Sequence, residues 1–292
     1  MKAPLVFDRS LVRRRLERAM RTGYADFLLA RTVEDLEERL APVLRTFPLA
    51  LDVGTPTPVA AEFLRRGRSE QVVRIAPLPE PESIQGDEEN LPVSEPQFDL
   101  AISLLSLQGV NDLPGALVQI RRVLKSDGLF MGALLGGATL TELRQAFTQA
   151  EAELEGGVSP RVAPFADVRD LGGLLQRAGF ALPVADSETV RVRYGDPFAL
   201  MRDLRQMGLT NALHDRRKTP LRRGTLMRAA EIYVERFADP DGRVPATFEI
   251  IWLSGWTPHE SQQKPLRPGS AKMRLADALG VKEQPTGEKG QE

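Results

Sequence analysis

Hydrophobic residues in the first 180 positions form two patterns that alternate along the chain: continuous apolar runs, and apolar residues repeated every three or four positions. Nearly continuous apolar runs are typical of strands buried on both faces of a parallel sheet. Between these runs, apolar residues recur every three or four positions, as they do on one face of a helix, from about Thr32 and over Asp112–Leu124. Alternating strands and helices favour a parallel α/β sheet. The predicted strands are Leu49–Val53, Val72–Ile75, Phe98–Leu105 and the run that starts at Gly128.

The pattern changes after Phe180. Apolar and charged residues alternate over Val190–Tyr194, which predicts a half-exposed antiparallel strand. An Arg- and Lys-rich helical insertion is predicted at about 196–241, followed by a last strand. A helix, about five parallel strand–helix units and a terminal antiparallel pair form the plan of a class I methyltransferase, a Rossmann-like fold.

We therefore expect one domain over residues 1–263, with an N-terminal helical cap at about 7–30. The stretch from 264 to 292 contains mainly Pro, Gly and charged residues, and we expect it to be partly disordered.

Composition excludes several classes of function. The 292 residues carry a formal net charge of −1 and no cysteine, which excludes disulfides, thiolate metal sites and thiol nucleophiles. The balanced charge gives no support for a nucleic-acid partner. No apolar run approaches the roughly 18 residues that a membrane-spanning helix needs.

The stretch ALDVGTPTPVAAEFL, from Ala50 to Leu64, has the outline of a nucleotide-type cofactor loop. A strand ends near Asp52, Gly54 follows, and a helix begins. Where such loops carry further glycines, this chain has Pro56 and Pro58. Thr57 is predicted to cap the helix, with Pro58 at its first position.

Four stretches together resemble a known family. The longest, FDLAISLLSLQGVNDLPGALVQIRRVLKSDGLFMGALLGGATLTELR, begins at Phe98, and three others begin at Phe7, Glu155 and Val244. They are similar to the methyltransferase-like proteins that assemble respiratory complex I, which are cousins of the malonyl-carrier-protein methyltransferases of biotin synthesis. The resemblance covers most of Phe7–Ala271.

The resemblance implies a fold that holds S-adenosylmethionine and a protein partner, a subunit of complex I, on which an arginine is modified. It also implies a bacterial cytoplasmic protein, peripheral to the membrane during assembly, and no presequence is expected because the match begins at Phe7. No catalytic residue is implied. The implied cofactor-binding residues are Asp52, Gly54, Thr55, Asp87 (at the position that meets the adenine amino group), Glu88 and Leu105.

Three departures from the family pattern face the same ligand. Pro56 and Pro58 replace glycines of the acidic–x–Gly–x–Gly–x–Gly loop. Arg74 stands where a carboxylate accepts hydrogen bonds from the ribose, and arginine offers only donors. Gln108 and Gly109 replace a histidine and a tryptophan. Together these changes predict that S-adenosylmethionine binding is weakened or lost.

Three functions therefore stay open: a cofactor-dependent enzyme that modifies a complex I subunit, a catalytically inactive assembly scaffold, and a carboxyl methyltransferase of the biotin type. The stretch from Val244 to Ala271 disfavours the third, because a biotin-type enzyme has no reason to keep it. The basic insertion is either the partner surface or a solvated helical lid.

The arginines of Arg9–Arg21 either bind an acidic partner or form the polar face of a cap helix. His259 and Glu260 either act as general acid–base groups, hold iron together with His214, or are structural.

Overall fold

A seven-stranded mixed sheet is the centre of the protein, as seen in a computed structural model that describes residues 5–93 and 95–263. Its strand order is β3-β2-β1-β4-β5-β7-β6. The strands are β1 (Leu49–Val53), β2 (Gln71–Ala76), β3 (Ser83–Gln85), β4 (Phe98–Leu104), β5 (Leu124–Leu135), β6 (Ala181–Tyr194) and β7 (Val244–Trp256).

The first five strands in this order, β3, β2, β1, β4 and β5, run parallel to one another. Strand β7 pairs antiparallel with both β5 and β6. All seven residues of β4 are buried, as the apolar run predicts. Strand β6 lies at the edge and alternates between exposed and partly buried positions, so the predicted half-exposed antiparallel strand is confirmed.

Helices cover both faces of the sheet and form the cap and the insertion. Helix α2 begins at Phe27, before the predicted Thr32, because Leu28 and Leu29 extend its buried face. The helices are α1 (Arg9–Thr22), α2 (Phe27–Leu40), α3 (Val59–Arg65), α4 (Leu113–Val123), α5 (Thr141–Leu154), α6 (Val168–Arg177), α7 (Pro197–Gln206) and α8 (Arg223–Phe237).

The N-terminal segment joins the cap to the insertion. Phe7 forms an antiparallel bridge with Leu213, and the Asp8 amide donates to the Ala212 carbonyl at 2.9 Å. On the other side, Asn111 Oδ1 accepts from the Phe7 amide at 2.7 Å. The segment is therefore bonded to the insertion and to the loop before α4 at once.

The chain divides into two units, residues 1–258 and 259–292, and the sheet with its helices belongs to the first. The predicted tail, 264–292, lies outside the described residues. Within 5–93 and 95–263, none of the helices is both long and apolar enough to cross a bilayer.

Candidate functional site

A cavity of about 450 Å³ opens at the carboxyl ends of the parallel strands. This edge of an open α/β sheet is where such folds bind their ligands. One end of the cavity is polar and lies beside the loops that follow β1, β2 and β4, and the other end is apolar. The polar end is lined by Gly54, Pro56, Pro77, Asp87, Glu88 and Ser106.

Gly54 allows the loop after β1 to approach its neighbours closely. Its φ is +74°, in the region that favours glycine. A Cβ at this position would overlap the Glu88 carboxylate and lie 2.7 Å from Ser106 Oγ. A glycine is therefore required here by contacts within the protein, with Glu88 and Ser106.

Asp52 lies beneath the cavity and does not line it. Its side chain is completely buried, and Arg74 Nη1 lies 2.5 Å from Oδ2. Thr55 Oγ1, which is also buried, donates to Asp52 Oδ1. Burial raises the pKa of Asp52 to about 6, against the opposing effects of the Arg74 charge and the Thr55 hydrogen bond. The carboxylate and the threonine therefore support the loop from below.

Arg74 fastens the loop on both sides of Pro56. Its Nη2 donates to the Thr55 carbonyl at 3.1 Å, and its Nη1 donates to the Thr57 carbonyl at 2.8 Å. The predicted cap by Thr57 is wrong. Pro58 is itself the N-cap of α3, and there is no side-chain capping bond, because proline has no side-chain hydrogen-bond acceptor.

Glu80 brings a carboxylate to the end of β2. Arg74 Nε donates to Glu80 Oε1 at 2.7 Å. The Glu80 side chain is one quarter exposed, whereas that of Arg74 is almost entirely buried. Glu80 is not among the residues that line the cavity, so it does not restore the ribose acceptor inside it.

The cap helix covers the acidic pair of the cavity. Arg9 Nη2 lies 2.9 Å from Asp87 Oδ1 and also pairs with Glu88 Oε2, and Arg9 Nη1 donates to the Gly109 carbonyl at 3.0 Å. Burial raises the pKa of Glu88, against the attraction of Arg9. The sequence named Arg9 only as one of the arginines of the cap helix and did not place it at the cavity, because helical spacing does not show what a polar face meets.

Leu105 and Leu140 line the cavity with left-handed backbones. Their φ values are +53° and +56°. Few residues other than glycine adopt this conformation, and those that do cluster at functional sites. The Leu105 amide donates to the Ala133 carbonyl at 2.7 Å, and Gln108 Nε2 donates to the Leu105 carbonyl at the same distance. The turn after β4 is thereby held in shape.

Several buried polar atoms of the cavity wall have no protein partner. Buried polar groups are almost always hydrogen-bonded, so such atoms gathered on one cavity indicate a ligand. Among the described residues, those on the cavity are Arg9 Nε, Arg15 Nη1, Gln108 Oε1 and Thr210 Oγ1.

The residues of the cavity wall fit the implied cofactor in the loops after β1, β3 and β4, and they do not fit it at the end of β2. Gly54, Asp87, Glu88 and Leu105 line the same cavity. At the end of β2, the donors of Arg74 are bonded to protein oxygens, and no carboxylate there faces the cavity.

The two histidines lie at the surface. His259 Nδ1 lies 2.7 Å from Ser261 Oγ, and His214 Nδ1 lies 3.0 Å from Asp215 Oδ1. In the part of the chain that the structure describes, no three His, Asp or Glu side chains are placed to hold a metal ion.

Comparisons with known proteins define the class. Residues 51–132 match the family model of the methyltransferase domain. A Bacillus halodurans protein, BH2331, described as a candidate methyltransferase, superposes with a TM-score of 0.54 at 16% identity, over 78% of this chain and 99% of that one. The protein has the class I methyltransferase fold, and that prediction is confirmed.

Closer relatives define the family. The chain is 42% identical to the mitochondrial arginine-hydroxylase NDUFAF5 of Danio rerio, over 93% of its own length and 89% of the relative's. It is also 36% identical to a malonyl-[acyl-carrier protein] O-methyltransferase of Halorhodospira halophila, over 85% and 88% of the two chains. The chain belongs to the NDUFAF5 arginine-hydroxylase family.

Proposed function

We propose that this protein acts in the assembly of respiratory complex I, where it binds S-adenosylmethionine at the polar end of the cavity and modifies an arginine of a complex I subunit. We place this work in the cytoplasm, at the periphery of the membrane. The relatives named as arginine-hydroxylases support the acceptor. The observation that carries the cofactor assignment is that Gly54, Asp87, Glu88 and Leu105, from three loops at the carboxyl ends of the strands, line one cavity.

The residues that would hold the cofactor are Gly54 from the loop after β1, the acidic pair Asp87 and Glu88, and Leu105 after β4. When bound, S-adenosylmethionine would supply an electrophilic methyl group on a sulfonium, which suits methyl transfer and does not provide the oxygen atom or the oxidant that a hydroxylation needs. The contribution of this chain is positioning and exclusion of water, since the cap helix and the insertion cover the cavity. Asp52, Thr55 and Arg74 contribute by holding the loop.

Titration calorimetry with S-adenosylmethionine, and separately with S-adenosylhomocysteine, tests the cofactor assignment. Micromolar binding, which corresponds to about −8 kcal/mol, supports the assignment. Absence of heat up to millimolar ligand, from protein shown to be folded by circular dichroism, contradicts it.

One observation favours a second function, an assembly scaffold without catalysis. Arg74 occupies the place of the ribose acceptor with its donors already bonded, so the loop keeps its shape without a ligand. A scaffold would need the basic insertion rather than the cavity. There Lys218 and Arg223 are exposed and make no ion pair with another described residue, whereas Arg217 pairs with Glu155.

Complementation in cells that lack the chain separates the two functions. Pro56→Trp fills the polar end from a residue that lines it, and the double variant Lys218→Glu/Arg223→Glu reverses the exposed charge. An enzyme loses complex I assembly with the first variant. A scaffold keeps assembly with the first variant and loses it with the second.

A further inference from the structure

The apolar end of the cavity lies between the cap and the insertion, away from the loops assigned to the cofactor. Helices α2, α5, α7 and α8 and the residue before α5 all contribute aliphatic or aromatic side chains to it. They include Leu28, Leu140, Phe147, Met201, Leu204 and Leu226. No polar or charged side chain is among these six, so this end favours a hydrocarbon group.

A guanidinium on the cavity wall has no acceptor. Arg15, on the cap helix, lines the cavity, and its Nη1 atom is buried without a hydrogen-bond partner. Within the described ranges, no carboxylate oxygen lies within 4.0 Å of its nitrogens. Burial, together with the positive charges of Arg216 and Arg18, lowers the pKa of Arg15 to about 10, so the group is still charged at pH 7. A buried, charged and unpaired donor is costly unless an anion meets it.

The charge around Arg15 is not balanced by the protein. Arg205, on α7, also lines the cavity and pairs with no carboxylate of the described residues. The acidic residues of the lining are Asp87 and Glu88, and both are bonded to Arg9. The wall formed by α1 and α7 therefore carries excess positive charge beside an apolar chamber.

We propose that this chamber binds a small amphipathic carboxylate, with its head group on Arg15 and its hydrocarbon chain between α5, α7 and α8. A guanidinium offers two parallel donors that match a carboxylate, and such charge-assisted pairs are stronger than neutral ones. Thr210 Oγ1, unpartnered on the same cavity, offers a further hydroxyl. The inference goes beyond the proposed function and does not require S-adenosylmethionine.

The probes are octanoate, 1-octanol and octylammonium, which share a chain and differ in head-group charge. Titration calorimetry on the full chain, without cofactor, is expected to show octanoate binding at least tenfold more tightly than octanol, and no octylammonium binding. Arg15→Gln is expected to weaken octanoate about tenfold and to leave octanol unchanged, whereas Arg15→Lys retains part of the preference. The matched control is Arg14→Gln, an exposed neighbour on the same helix, which should bind like the unmodified protein.

A second variant tests the chamber itself. Met201→Trp adds bulk from a partly exposed residue of the lining, and it should abolish binding of both octanoate and octanol. Equal affinity for octanoate and octanol, equal effects of Arg15→Gln and Arg14→Gln, or no octanoate binding at millimolar concentration overturns the proposal. Because cofactor is absent throughout, these outcomes are independent of the S-adenosylmethionine titration.

Discussion

Arg74 and Asp52 occupy paired positions on β2 and β1, and their side chains form an ion pair excluded from water, with 2.5 Å between Nη1 and Oδ2. In the family that the sequence resembles, the residues at these two positions are expected to bind the cofactor. In this protein they hold each other and the loop above them. The cost of removing two charges from water is offset by five hydrogen bonds, from Arg74 to Asp52, Thr55, Thr57 and Glu80 and from Thr55 to Asp52.

Arg74→Met is expected to lower the free energy of unfolding by about 3–5 kcal/mol, because it leaves the Asp52 carboxylate buried without its countercharge. The double variant Asp52→Asn/Arg74→Met removes both charges and should recover most of that loss. Chemical denaturation at pH 7 measures both. A double variant as unstable as Arg74→Met alone would show that stability depends on the hydrogen bonds from Arg74 to the loop carbonyls and not on its charge.

The effect of Arg74→Met should depend on pH. The pKa of Asp52 is about 6 in the folded protein, above its ordinary value of 3.8, so its contribution to stability falls as the pH rises from about 4 to 6. Without Arg74 the folded pKa rises further, and the loss continues to higher pH. Denaturation at pH 5 and pH 8 should therefore show the larger deficit at pH 8. An equal deficit at both values contradicts a buried, unpaired carboxylate.

Gly54→Ala is expected to destabilise the protein and to close the polar end of the cavity. Gly242→Ala is the matched control, since Gly242 has a similar φ of +82° but nothing within 4 Å of its added Cβ. The control should cost about 1 kcal/mol of stability from backbone strain alone. Gly54→Ala should cost about 2 kcal/mol more through overlap with Glu88, and it should abolish any S-adenosylmethionine binding. Denaturation and calorimetry measure the two effects, and equal costs in the two variants would rule out the close approach.

Arg9→Gln is expected to cost about 2 kcal/mol, because Glu88 is left buried without its charged partner. Hydrogen exchange should speed up in α1, which Arg9 ties to the acidic pair. Adding Glu88→Gln should restore most of the stability. If exchange in α1 stays as slow as in the unmodified protein, the cap is held by its apolar contacts and not by this pair.

Asn111→Ala is expected to release the N-terminal segment from the loop before α4. Asn111 Oδ1 accepts from the amides of Val6 and Phe7, at 2.8 and 2.7 Å. Those amides should exchange with solvent at least tenfold faster, while exchange in β5 stays unchanged. Unchanged exchange at Val6 and Phe7 would mean that the bridge to Leu213 alone fixes the segment.

The sequence predicted the sheet well, because strands such as Phe98–Leu104 are buried on both faces and show it in their composition. The two helices within the expected insertion, α7 and α8, likewise follow a local helical spacing. The start of α2 was misplaced, as the two leucines before Thr32 also face the core. Local patterns therefore predict that a helix or strand is present more reliably than they predict the residues at which it begins and ends.

The site was predicted only in part. Gly54, Asp87, Glu88 and Leu105 line the cavity, but no local pattern shows that Arg74 reaches back to the loop carbonyls or that Arg9 meets residues almost eighty positions away. A polar face on a cap helix looks the same whether its arginines meet solvent or a buried carboxylate. The contacts of Arg9 and Arg15 depend on how the cap lies over the edge of the sheet, which the sequence pattern does not show.

The attachment of Phe7 to Leu213 and Asn111 also sets an order of events while the chain is being made. The segment around Phe7 meets one partner about a hundred residues later in the chain and the other about two hundred residues later, so the cap cannot be fully attached before Leu213 has been translated. Strand β7, which fills the place between β5 and β6, is translated even later. The cavity is therefore completed only after the insertion has been translated, since its lining extends from Phe7 to Leu226, and a nascent chain cannot retain a ligand there before that point.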